Sequence, residues 1–72
     1  MQSTVILTIG TALSRAEQAG SEVDILVQGT WIHGRVAGLD GHGLVLDDGR
    51  GESAVVRLEQ VAAVRIDQHG VT

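Results

Sequence analysis

Residues 29–49 read GTWIHGRVAGLDGHGLVLDDG, and this stretch decides the fold. It holds six glycines, the only tryptophan and two of the three histidines. Glycine at that density marks turns, yet the residues between the glycines alternate apolar and polar with a period of two, as half-buried strands do. Thr30, Ile32, Gly34 and Val36 fall on one face, which places Trp31, His33 and Arg35 together on the other. Asp40-Gly41-His42-Gly43 breaks the pattern. Leu44-Val45-Leu46 resumes it, and Asp47-Asp48-Gly49-Arg50-Gly51 ends it again. Gly34 and Gly38 lie inside a strand pattern that continues on both sides. That position suits a sharp bend with close backbone approach.

Upstream, Val23, Ile25 and Val27 alternate with Asp24 and Gln28, and Gln28-Gly29 is a turn signal. Downstream, Ala54 to Leu58 form a fourth strand. Glu59-Gln60 interrupts briefly, and Val61 to Ile66 contain a fifth. Before these, Ile9, Leu13 and Ala16 recur at helical spacing, Thr11 to Ala19 is rich in helix formers, and Gly20 is a natural stop. The spacing predicts a helix over about 7–19. Val5, Leu7 and Ile9 also alternate as in a strand, so residues 1–10 can be read as helix, strand or disordered chain. Five short strands with four short breaks predict a strongly bent, mostly β antiparallel barrel over about 22–67. Residues 1–72 form a single domain.

Composition sets further bounds. A 72-residue chain buries only about 60% of its unfolded surface and is marginal alone. No cysteine is present, so no disulfide can staple it, and oligomerisation is the remaining common remedy. Aromatics are 1% against 43% hydrophobic residues, so the core must be Val, Ile, Leu and Ala. The formal charge of −4 attracts no phosphate by its overall field, and nucleic-acid binding would need a local patch. Val5-Ile6-Leu7 is too short to span a bilayer, and the N-terminus lacks the basic region of a secretory signal. No membrane association and a cytoplasmic location are the expectations.

One helix followed by five bent strands resembles the Sm-like family, which includes the bacterial RNA chaperone Hfq. Residues Val23 to Ile66 carry the likeness. Val23-Asp24-Ile25-Leu26-Val27-Gln28-Gly29 resembles the family's first strand and its polar-Gly turn. Ile32-His33-Gly34-Arg35-Val36 resembles its apolar-x-Gly-x-apolar second strand, and Leu39-Asp40 with Leu44-Val45-Leu46 the remainder of the first Sm motif. The resemblance implies a closed homo-oligomeric ring of about five to seven subunits, with the fourth strand of one subunit pairing the fifth of the next. Val55, Val56, Leu58, Val64 and Ile66 are the expected interface.

The resemblance also shows where this chain departs. The Gln-aromatic pair that Hfq-type proteins place near the pore is replaced by Gly41-His42, a weakened pore-side candidate. Their Lys-His pair falls at Leu58-Glu59, and an acidic Glu59 repels phosphate. The arginine-rich helix end is reduced to Arg15 beside Glu17. In the family it resembles, the outward side of the second strand helps form an RNA-binding surface away from the helix. The resemblance thus implies that the row Trp31, His33 and Arg35, with Gln28 and Gly29 at the adjoining turn, is the candidate surface for single-stranded RNA. Tryptophan can stack a base and arginine can hold a phosphate or stack. Trp31 can equally be a packing or protein-contact residue.

The remaining chemistry is sparse. His33, His42 and His69 lack close metal-ligand spacing, and Asp47-Asp48-Gly49 lacks the ligand order of a calcium loop and reads as a turn. Asp40 reads as a turn carboxylate accepting local backbone hydrogen bonds. No nucleophile-base arrangement or phosphate loop is present. The expectations are no enzyme activity, no cofactor and no metal. An RNA-binding regulatory or chaperone-type ring is expected, with a protein-interaction or scaffold ring as the alternative.

Overall fold

In the computed structural model, which describes residues 8–66, helix α1 spans Ile9–Ala19. Thr8 caps its start, with the Thr11 N–H donating to Thr8 Oγ1 at 3.2 Å. Gly20 ends it at φ 68°, and the Ser21 N–H reaches back to the Ala16 carbonyl at 3.0 Å. That left-handed stop favours glycine. The helix therefore begins two residues later than the spacing predicts. The alternating lead-in through Leu7 lies outside the described residues, as does the predicted end of the barrel at residue 67.

The strands follow in chain order: β1 (Glu22–Val27), β2 (Thr30–Leu39), β3 (Gly43–Asp47), β4 (Ser53–Arg57) and β5 (Val61–Ile66). They form one antiparallel sheet in the order β4-β3-β2-β1-β5. β2 is shared along its length. Its first half, Thr30 to Arg35, pairs with β1, and its second half, Arg35 to Leu39, pairs with β3. The β2–β3 register shifts between Val36 and Gly38, leaving Ala37 as an extra residue, and β1–β5 shifts between Leu26 and Val27. Such bulges bend and twist a sheet.

The bent sheet and α1 enclose Leu13, Val23, Ile25, Leu44 and Leu46, all essentially inaccessible. Ala16, Val36, Val56 and Val61 complete the core. It is built of Val, Ile, Leu and Ala, as the composition requires, and no polar side chain among the described residues is buried in it. Each fully buried aliphatic side chain contributes roughly 1.5–3 kcal/mol against the entropy of ordering the chain.

Two details differ from the sequence reading. Leu58 does not extend β4; it opens a 3₁₀ turn, Leu58–Gln60, anchored by its N–H donating to the His42 carbonyl at 2.8 Å. Val56, expected at the interface, is buried in the core of the subunit, while Val55 is 82% exposed.

Candidate nucleic-acid interface

Inward burial of Val23, Ile25, Gly34 and Val36 turns the alternate residues of β1 and β2 to the opposite side of the sheet. The register sets Leu26 opposite Trp31, Asp24 opposite His33 and Glu22 opposite Arg35. Across β1, β5 sets Arg65 opposite Asp24 and Ala63 opposite Leu26. The row Trp31-His33-Arg35 thus exists as expected, but it does not stand alone.

Arg65 stacks its guanidinium 4.0 Å from the centre of the Trp31 ring. Trp31 keeps 42% of its surface exposed. A cation over an exposed indole contributes about 0.5–1 kcal/mol and combines stacking surface with positive charge. Arg65 belongs to this face through the β1–β5 pairing, and the sequence reading assigned it no role. Its only sequence signal is a polar position within an apolar strand.

His33 is held on both sides. Its Nδ1 lies 2.7 Å from Asp24 Oδ1 and its Nε2 lies 2.8 Å from Glu22 Oε1. Carboxylates accept, so both ring nitrogens must donate, which only the imidazolium can do. These bonds, to Asp24 first and Glu22 second, raise the His33 pKa above its ordinary value. Arg35 lies 3.6 Å from Glu22 and Arg65 lies 3.6 Å from Asp24. The three cationic groups of the face therefore share two carboxylates. The carboxylates bond opposite nitrogens of one ring and converge on no common point, and no metal-holding cluster occurs among the described residues.

The other candidates lie elsewhere. Gln28, at φ 49°, and Gly29, at φ 81°, form the tight β1–β2 turn beside Trp31. The Gln28 amide donates to the Gln60 side chain at 3.3 Å. Gly41 and His42 occupy the β2–β3 turn, at the opposite end of β2 from Trp31. There Asp40 Oδ1 accepts from the His42 and Gly43 N–H groups at 2.8 and 2.9 Å. Those bonds hold its carboxyl below the usual range. Asp47 and Asp48 likewise take backbone N–H groups of their own turn, from Gly49 and Arg50. This is the turn role read for all three. Glu59 pairs with Arg57 at 3.3 Å.

Among the expected interface residues, exposed Val55 sits on β4, while Val64 and Ile66 on β5 are partly buried against the core. β4 and β5 are the two ends of the sheet, each paired on one side only among the described residues. Beside β4 runs an apolar groove of about 500 Å³ lined by Leu39, His42, Val45, Val55 and Arg57 among others. Among the described residues, no helix is long and apolar enough to cross a membrane.

No family model and no curated protein matches the chain.

Proposed function

We propose that the chain is a subunit of an Sm-like homo-oligomeric ring that binds single-stranded RNA on its outer sheet face, as a regulatory or chaperone-type module. The observation that carries the RNA reading is the Arg65–Trp31 stack, an exposed indole with a guanidinium on the same face. A base stacking on such a platform gains on the order of 1–3 kcal/mol, and the neighbouring cation meets its phosphate. Assembly is supported by the two one-sided sheet edges and by exposed Val55 beside an apolar groove. Edges of this kind invite strand pairing, and ring closure removes them.

A protein-interaction ring without RNA is the second reading. It is favoured by the two carboxylates, Glu22 and Asp24, that share the cations of the same face. Titration of single-stranded oligoadenylate against Trp31 fluorescence at two salt concentrations separates the two. Saturable quenching that weakens steeply with salt supports the RNA ring. An unresponsive tryptophan supports the protein-interaction ring.

A further inference from the structure

We infer that His33 is a proton-operated control on the Trp31–Arg65 stack, regulating the same platform that the RNA reading uses and resting on that reading for its biological purpose. Six side chains form one continuous path across three strands, in the order Arg35, Glu22, His33, Asp24, Arg65 and Trp31. The successive separations are 3.6 Å, 2.8 Å, 2.7 Å and 3.6 Å, then 4.0 Å from the Arg65 guanidinium to the ring centre. The two short contacts are those of His33. Asp24 is thereby held mainly by the imidazolium, and Arg65 lies too far from it for a good hydrogen bond. Arg65 rests on the indole instead.

Loss of the proton changes this balance. Neutral imidazole has one N–H and one lone pair, so it serves one carboxylate and turns a lone pair toward the other. Positive charge between Glu22 and Asp24 disappears in either tautomer. Glu22 retains Arg35, and the other cation beside Asp24 is Arg65. The attraction between Asp24 and Arg65 grows, the guanidinium closes on the carboxylate, and it leaves the indole. The stack forms when His33 is charged and opens when it is neutral.

The surroundings of His33 bear on the same proton. Glu22 and Asp24 face it from β1, Arg35 from its own strand and Arg65 across β1 from β5. Asp47, Asp48 and Glu52 line the hollows on its β3–β4 side. Acidic groups outnumber cationic ones in this set, which favours the imidazolium.

The test is an NMR titration of the isotopically labelled full chain from roughly pH 5 to 9, across the histidine range. The ring carbons of His33 report its protonation. The side-chain protons of Arg65, shifted upfield by the indole ring current, report the stack. Arg65 is expected to lose most of its upfield displacement as pH rises, with the midpoint of His33 and on the alkaline side of about 6.5. In H33Q the Arg65 shifts should be flat with pH. In D24N, His33 should still titrate while Arg65 no longer follows. These substitutions are on the outer face, and circular dichroism verifies that each variant folds.

Arg65 shifts that stay constant while His33 titrates would overturn the switch, as would shifts that still follow His33 in D24N. Oligoadenylate binding on both sides of the midpoint forms a separate arm. An affinity change that disappears in H33Q supports the switch acting on the platform. No binding at either pH, with the Arg65 response intact, defeats the RNA reading and leaves the switch standing.

Discussion

The carbonyl oxygen of Asp47 lies 3.0 Å from the position that a Cβ on Gly34 would occupy. The Cβ of Leu46 is 3.3 Å from the same point. β3 therefore crosses β2 so closely that a side chain at position 34 would force its neighbours to give by a few tenths of an ångström. Gly34→Val should cost on the order of 1–3 kcal/mol by overpacking, read as a lowered thermal midpoint. Gly38 is a control within the same strand. Its added Cβ would meet only Val45, at 3.8 Å and beyond. Gly38→Ala should leave the midpoint nearly unchanged, and equal losses at both positions would disprove the crossing as the cause.

The second prediction concerns pH and stability. The His33 pKa is raised in the folded chain above its unfolded value, by bonds to Asp24 and then Glu22. Its contribution is then fully present below the unfolded value of about 6.5. It is lost as pH rises through the higher folded value. The melting temperature should fall across that alkaline window, and His33→Gln should remove the fall. Asp40 acts in the opposite sense. Its pKa is lowered by the His42 and Gly43 N–H groups, so its contribution is present above the ordinary carboxylate range and lost as pH falls through the folded value. Asp40→Asn should flatten part of the acid limb. A melting temperature that rises between pH 6.5 and 8 would contradict the His33 assignment.

The same residues show how far the sequence alone could reach. Local signals identified the helix stop at Gly20, the turn at Gln28-Gly29 and the inward alternation of β2, because each depends on backbone preferences within a few residues. The positive φ values at Gly20, Gln28 and Gly29 are the physical form of those signals. Alternation also placed Trp31, His33 and Arg35 on one face. It could not supply the register against β1 that puts Asp24 beside His33. Nor could it show that β5 returns to β1 and carries Arg65 over Trp31. Such contacts join residues far apart in sequence, and no local preference encodes them. The end of β4 at Arg57 and the burial of Val56 are likewise beyond local preference. The fourth strand has two adjacent valines, so its inward face is settled by pairing Val56 with Leu44 and Val55 with Val45.

The third prediction uses those two valines. Val55 is on the surface of an edge strand, and Val56 is 8% exposed and part of the core. Val55→Asp should leave the circular dichroism spectrum intact and shift light scattering from an assembly toward a 7.5 kDa monomer. Val56→Asp should unfold the chain, because an unpaired buried carboxylate costs free energy comparable with the stability of a small domain. A monomer in the unmodified protein would sink the proposed ring. An assembly that survives Val55→Asp would move the interface away from β4.

The last prediction joins Trp31 and Arg65. If the stack is the RNA platform, Trp31→Ala should weaken oligoadenylate binding by about 1–3 kcal/mol per stacked base. Arg65→Gln should weaken it as well and should lower the salt slope by roughly 0.7, the value for one phosphate contact on a single strand. Glu22→Gln should act in the opposite direction, since removing that carboxylate takes away repulsion toward phosphate. The chain has a single tryptophan, so fluorescence quenching reports on this position alone. A purely structural role for the stack makes a different forecast. Trp31→Ala would then lower the thermal midpoint by the small amount expected of an exposed cation–π contact, about 0.5–1 kcal/mol. RNA affinity and its salt slope would not move. Arg65→Gln separates the two roles most cleanly, because it leaves a polar side chain that can still donate a hydrogen bond while removing the charge that a phosphate needs.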